Sequence, residues 1–223
     1  MLDTSFFANG VFFFLAVLSA IFTVAYFIGR IVNRNKSERI WSILTNVLGL
    51  AVGERGALGA KGDLYADFAG AIAGPVEKVE AKLTLLPRHI LPFLPFAKLL
   101  EKGDKLLLAL HLRNPKERGD FHIIEEKFAA SGIPKIKGRH ELNITTMNWG
   151  DKKFRIYYRN EQARDKIIKF ISAQKSFCTV LHVAFDAQQK KSFIFFLITK
   201  EADLQNLAPV YDWLSSTVGP TDS

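Results

Sequence analysis

The side chains that could carry chemistry are few and scattered along the chain. Five histidines are present, and their spacing matches no metal-binding motif. They are His89, His111, His122, His140 and His182. Asp63 and Asp67 are four residues apart and would share a helix face, which is typical of a solvated surface. Because there is also no nucleophile elbow and no HExxH motif, the sequence predicts a protein that is not an enzyme.

Cysteine and glycine usage excludes two further classes of site. Cys178 is the single cysteine, so neither a disulfide framework nor a zinc cluster is expected. Seven glycines lie between residues 49 and 75, but no Gly-Lys-Ser/Thr and no G-x-G-x-x-G follows a strand there. We therefore expect no cofactor, and an irregular connection that leads into a helix or close-packed segment around Tyr65, Phe68 and Gly70.

A long apolar run near the N-terminus determines where the rest of the chain lies. Residues 11–29 contain no charge and would span roughly 28 Å as a helix, close to the thickness of a bilayer core. A signal peptide is disfavoured because no positive n-region precedes the run, and a buried core helix would need a large domain around it. Arg30, Arg34, Lys36 and Arg39 follow the run, so we expect a lumenal N-terminus and a cytosolic C-terminal part.

The part after residue 29 carries all the Lys and Arg residues and a net charge of about +9. A positive domain tethered to a membrane has two obvious partners, anionic lipid and RNA, although a basic soluble surface is the plainer interpretation. The predicted topology leaves the Asn143-Ile144-Thr145 sequon unglycosylated, since it would face the cytosol. Residues 40–47 predict a short amphipathic helix in which Trp41 would contact the membrane interface.

Residues 83–100, LTLLPRHILPFLPFAKLL, form a second apolar concentration. Pro87, Pro92 and Pro95 rule out a continuous spanning helix. Two alternatives stay open: a core helix that begins near Pro95, or a wedge that dips into the cytosolic leaflet. Phe93 and Phe96 are the side chains expected to contact the membrane in the second case.

Alternating and helical patterns then predict an α+β domain. Strands are expected at 106–112, 121–124, 142–147, 154–158, 178–185 and 192–199. Helices are expected from Asn160, as the N-cap, to about Gln174, and from about Ala202 to Val218. The predicted organisation is a lumenal N-terminus (1–10), a single transmembrane helix (11–29), a basic and Gly-rich connection (30–82), a mixed cytosolic globular domain (83–218) and a tail (219–223).

The order of these segments resembles the calumin family, also called coiled-coil-domain-containing protein 47. The resemblance rests on the single anchor with its basic flank, Val52-Gly53-Glu54, and Tyr65-x-x-Phe68-x-Gly70, where the family tends to have Tyr-x-x-Trp. It continues through LLPRHILPFL (85–94) to the strand KSFIFFLIT (191–199) and the helix ADLQNLAPVYDWL (202–214). It covers most of residues 10–218, and no single motif in it is stringent.

The resemblance implies a membrane protein of the endoplasmic reticulum that partners Asterix in the PAT complex at the Sec translocon. Such proteins help multipass membrane proteins to insert and fold without catalysis. The family's acidic lumenal region and its long basic coiled coil, which contacts the ribosome, have no counterpart here. Three alternatives stay open: no ribosome contact, ribosome contact through the domain's own basic surface and phosphates of ribosomal RNA, or a divergent, reduced member of the family. The second is the one for which candidate residues can be named.

The candidate ribosome-binding residues are Lys135, Lys137, Arg139, Lys152, Lys153, Arg155, Lys190 and Lys191. Each alone is also compatible with an ordinary solvated charge. The alternative function is a membrane-anchored lipid-binding or lipid-transfer module, with the Pro-Phe segment in the bilayer and the basic flank on anionic head groups. A membrane-bound enzyme is the third possibility.

Overall fold

The structure of the chain is a computed structural model that describes residues 4–49, 51–55, 63–69, 75–90, 92, 94–101, 103–113, 119–130, 136, 138–174 and 179–216. Helices and strands are mixed, as predicted. The helices are α1 (Thr4–Leu48), α2 (Leu94–Glu101), α3 (Glu126–Ala130), α4 (Glu161–Ala173) and α5 (Leu207–Ser216). The strands are β1 (Ala51–Arg55), β2 (Asp63–Ala69), β3 (Val76–Thr84), β4 (Asp104–Leu112), β5 (Phe121–Glu125), β6 (Asn143–Trp149), β7 (Lys152–Tyr158), β8 (Val180–Asp186) and β9 (Lys191–Ile198).

Helix α1 has two halves with different surroundings. From residue 10 to residue 28 nearly every side chain is exposed, and this half is long and apolar enough to cross a membrane. From residue 29 onward one face of the same helix is buried at a spacing of three to four residues, which is the spacing of a single helix face. The buried positions are Gly29, Asn33, Ser37, Ile40, Trp41, Leu44 and Leu48.

The prediction of a separate amphipathic helix at residues 40–47 therefore has the wrong boundaries. Residues 30–48 contain neither glycine nor proline, so nothing in this stretch interrupts the helix. The chain continues as one helix from the apolar half into the half that packs on the domain.

The described strands form one antiparallel sheet in the order β1-β2-β3-β4-β9-β8-β5-β7-β6. Alternate residues point to opposite faces, and one face is almost entirely buried. The second half of α1 covers this face together with α4, α5 and a 3-10 turn, Glu201–Asn206. The main hydrophobic core lies between these helices and the sheet. The opposite face is covered in part by α3, next to a smaller cluster of Ile124, Leu142 and Tyr157.

Three strands occupy the region predicted as an irregular Gly-rich connection, which corrects that prediction. Leu64, Ala66 and Phe68 of β2 point into the core, while Asp63, Tyr65 and Asp67 point to the other face. The sheet thus begins at Ala51 rather than at the predicted boundary of residue 83. The two aspartates share a strand face instead of a helix face, and each forms an ion pair with a lysine of β3.

The later elements agree with the sequence patterns. Strands β4 to β9 occupy all six predicted positions to within a few residues. Asn160 caps α4, because its side chain accepts a hydrogen bond from the backbone N–H of Ala163 at 2.8 Å. Helix α2 begins near Pro95, as expected for the helical alternative of the second apolar segment.

Candidate functional site

The most elaborate polar arrangement in the described residues joins α1 to the sheet. We call this the α1 junction, and it consists of Gly29, Asn33, Lys36, Arg88 and Asp104. Asp104 is the first residue of β4 and its side chain is fully buried. Its carboxylate accepts hydrogen bonds from the Leu86 backbone N–H at 2.7 Å and from both terminal nitrogens of Arg88 at 2.9 and 3.0 Å. The Arg88 contact is bidentate, which is the strongest geometry for such a pair.

Two side chains of α1 complete this network. Lys36 Nζ lies 2.6 Å from Asp104 Oδ2. Asn33 is fully buried; its Nδ2 donates to the Leu86 carbonyl at 3.0 Å, and its Oδ1 accepts from Arg88 at 2.9 Å. Burial alone would raise the pKa of the Asp104 carboxyl, but the hydrogen bonds from Arg88, Lys36 and Leu86 hold it below its usual value. Asp104 is therefore charged at neutral pH and bound by two cations.

The backbones also approach closely at this junction. A Cβ at Gly29 would lie 2.4 Å from the carbonyl oxygen of Arg88 and 2.5 Å from backbone atoms of His89, so only glycine fits there. One turn earlier in α1, the ring of Tyr26 meets the ring of His89 edge-on, with 5.6 Å between their centres. Side-chain charges and steric fit thus fix the position of α1 against residues 86–89. The arrangement is suited to mechanical coupling rather than to a reaction.

The predicted membrane contact of Trp41 is wrong. Trp41 is 2% exposed, and its ring lies 6.0 Å from that of Phe68 in the core. The reason is that the second half of α1 packs on the sheet, so its apolar face is already covered. Phe93 lies outside the described residues, as does the side chain of Phe96. Their predicted membrane contact stays a prediction.

The basic cluster of β7 is largely compensated by acids. Lys152 pairs with Glu125 at 3.5 Å, while Lys153 and Arg155 both pair with Glu126, at 3.5 and 3.0 Å. These contacts hold the pKa of the Glu126 carboxyl below its usual value, chiefly through the hydrogen bond from Arg155. Three cations facing two carboxylates leave little net charge for a phosphate partner.

The remaining basic candidates differ in the contacts that their side chains make. Arg139 donates to the hydroxyl of Tyr157 at 3.3 Å and lies over its ring. Lys190 is exposed in the turn between β8 and β9, where it adopts φ 53°, and Lys191 follows as the first residue of β9. Neither forms an ion pair with any residue that the structure describes. Lys135 and Lys137 lie outside those residues.

A histidine pair that the sequence did not predict lies on the half-open face of the sheet. His122 Nδ1 and His182 Nε2 are 3.2 Å apart, while the centres of the two rings are 5.4 Å apart. The two nitrogens therefore lie between the rings and face each other, as in an N–H···N hydrogen bond. The separation of the nitrogens does not decide against a metal ion, because two nitrogens bound tetrahedrally at about 2.0–2.1 Å from a metal would lie roughly 3.3 Å apart. Among the described residues no group of three potential metal ligands occurs.

The pair borders a pocket of about 370 Å³ at the end of the sheet farthest from the α1 junction. Its rim carries Asp120, Glu141 and Arg159, and Arg159 bridges the two carboxylates at 3.1 and 3.2 Å. Burial lowers the pKa of His122, and it lowers the pKa of His182 to about 3, so the pair is neutral near pH 7. Register alone brings these histidines together across β5 and β8, and no local sequence signal marks it.

Comparisons with known proteins add no assignment. No family model matches the chain, and a search of curated proteins found no match.

Proposed function

We propose that this chain is a non-enzymatic accessory of the ribosome-bound translocon in the endoplasmic-reticulum membrane, where it aids the insertion and folding of multipass proteins. Its partners would be an Asterix-like small membrane protein, the Sec translocon and ribosomal RNA. The resemblance in segment order supports the class. The observation that carries the proposal is the α1 junction, because it joins an apolar helix rigidly to a folded basic domain.

Rigid attachment matters for an accessory that works by occupying space. A domain on a flexible linker samples many positions beside the bilayer, whereas this one is joined through a continuous helix and a buried carboxylate. The first half of α1 is exposed on all sides, so it has surface for both lipid and a partner helix. The proposed orientation puts the N-terminus in the lumen and the sheet domain in the cytosol.

Two lysines at one end of the domain are candidates for contact with a ribosome, and Asp120, Glu141 and Asp186 lie at the same end. Strands β4 and β9 pair from Asp104 with Ile198, at the α1 junction, to His111 with Lys191 at the far end. Seven residue steps at about 3.3 Å place the far end roughly 23 Å away from the junction. Lys190 and Lys191 therefore lie at the end of the domain away from the proposed membrane surface. They are better candidates for phosphate contacts than the paired cluster of Lys152, Lys153 and Arg155.

The test compares salt dependence of ribosome co-sedimentation for variants with matched charge loss. Lys190→Asn with Lys191→Gln removes two charges, and asparagine tolerates the positive φ at residue 190. If both lysines contact phosphates, the slope of log affinity against log salt falls by roughly 1.4 to 1.8. Lys166→Gln with Lys169→Gln, on the exposed face of α4, serves as the control.

Three outcomes would count against this assignment. If both double variants lower the slope equally, the effect is one of net charge and no defined contact exists at the β8–β9 turn. If neither changes it, while the Lys152, Lys153 and Arg155 triple variant does, the contact lies on β7. Unchanged co-sedimentation in all three variants would argue against the ribosome as partner.

A lipid-transfer function has less support from the geometry. The pocket at the far end of the sheet is bordered by Asp120, Glu141, Arg159 and Asp186, which is a poor environment for an acyl chain. The exposed apolar surface near α2 instead favours contact with a bilayer surface.

A further inference from the structure

We propose that helix α2 and the residues just before it form a second membrane contact, with Ile90 and Leu99 inserted into the cytosolic leaflet beside α1. The proposal rests on the proposed function, since it requires that α1 is a membrane anchor. It adds that the domain is held against the bilayer at two places.

The depth of this segment follows from its contacts with α1. The backbone of Arg88 and His89 lies directly against Gly29, the last residue of the charge-free run. The His89 ring meets Tyr26, which lies a turn inside that run. If residues 11–29 occupy the hydrocarbon core, residues 88–90 must lie at its cytosolic boundary. The backbone N–H of Leu94 donates a hydrogen bond to the carbonyl oxygen of Ile90 at 3.1 Å, so α2 begins close to this boundary.

Among the side chains of this segment that the structure describes, the exposed ones are apolar. Ile90 is 46% exposed and Leu99 is 78% exposed. Within α2, Ala97 is buried against the domain, whereas Pro95 and Leu99 are exposed and lie on one face at a spacing of four residues. A short helix with an apolar face turned away from its domain is typical of a helix that lies in the membrane interface.

A bilayer is a better occupant of this surface than a soluble partner because the surface continues an apolar one. The exposed side chains of α1 extend past Gly29 to Ile31 and Val32, which are 59% and 45% exposed. Arg30 stays at the surface of the helix, where it donates to the Tyr26 hydroxyl at 3.3 Å. Arg30, just past the charge-free run, would lie in the polar head-group region, and Tyr26, one turn below it, would lie at the edge of the hydrocarbon core.

The experiment measures depth with the full chain in vesicles of phosphatidylcholine and a minority of phosphatidylserine. Cys178→Ser gives a background to which one cysteine is added for an environment-sensitive nitrobenzoxadiazole label. Leu99→Cys and Ile90→Cys report on the proposed contact, and Phe22→Cys reports on α1. Ile144→Cys is the control, because Ile144 is 54% exposed on the edge strand β6, which ends the sheet opposite β1.

We expect labels at residues 22, 90 and 99 to emit at shorter wavelength than the label at 144, and to be quenched several-fold more by brominated lipid. If residue 22 is quenched while residues 90 and 99 behave as residue 144 does, the second contact is refuted and the anchor stands. If residue 22 is not quenched, the anchor fails, and both this inference and the proposed function fail with it. A blue shift at 99 without quenching by brominated lipid would indicate a protein surface and would also refute the proposal.

Discussion

Replacement of Asp104 by asparagine tests whether the α1 junction holds the molecule together. The carboxylate accepts from Leu86 N–H, from two nitrogens of Arg88 and from Lys36. Asparagine keeps the shape but has one acceptor oxygen, and its amide would face donors. Two cations then lose their counter-charge in a site where the carboxylate was fully buried. Removal of one partner from a buried ion pair costs about 3–5 kcal/mol of unfolding free energy.

For a domain of this size, that loss corresponds to a drop in Tm of roughly 6–20 °C. The assay is thermal unfolding of the full chain in mild detergent, followed by the fluorescence of the buried Trp41 and Trp149. Combining Lys36→Met with Asp104→Asn should recover part of the loss, because one uncompensated cation is removed. Asp63→Asn is the control, since Asp63 pairs with Lys82 near the surface and such pairs contribute little. If Asp104→Asn lowers Tm no more than Asp63→Asn does, the junction is not the structural element we describe.

Three further outcomes follow from the described contacts. Gly29→Ala should separate α1 from residues 88–89 and lower Tm by several degrees. Gly10→Ala is the control: a Cβ there has nothing within 4 Å, so Tm should stay unchanged. Equal Tm values for the two variants would contradict the close approach at Gly29. In the unfolded chain His182 takes up a proton near pH 6.5, but in the folded chain its pKa is about 3. Stability should therefore fall as pH decreases through that window, by up to about 1.4 kcal/mol per pH unit, and His182→Gln should flatten the profile measured by urea unfolding. Below pH 4, protonation of Asp104 should remove the junction's contribution as well, so acid unfolding of Asp104→Asn should begin from lower stability but be less steep.

Local patterns predicted some parts of this fold and not others. Residues 106–112 form an apolar run of strand length, and Asn160 precedes a helical pattern, so β4 and α4 could be placed from sequence. In β2, Leu64, Ala66 and Phe68 alternate with Tyr65 and Asp67, but the surrounding glycines indicated an irregular connection that leads into a helix or close-packed segment. For Trp41, the sequence showed an aromatic residue beside a long apolar segment, and only the packing of α1 on the sheet shows that it is buried.

The candidate site depended on contacts that are distant in sequence. Asn33 and Arg88 are 55 positions apart, and His122 and His182 are 60 positions apart. Arg88 interrupted an apolar run and was informative only as a break in that run. Its role became visible once β3 and β4 brought it beside Asp104, because antiparallel pairing rather than local spacing decides which polar groups meet.

Because α1 is one continuous helix, its apolar half and the sheet domain move together. Spanning helices tilt by about 20° on average, and they tilt further when the bilayer is thinner than their apolar length. If α1 spans a bilayer as proposed, the same tilt passes to the sheet, because the junction fixes the sheet to the helix. A tilt of about 20° moves the β8–β9 turn, at the end of a roughly 23 Å arm, by roughly 8 Å. If α1 spans a bilayer as proposed, the local thickness of the membrane sets the lateral position of the β8–β9 turn, and a thinner bilayer would displace this turn sideways.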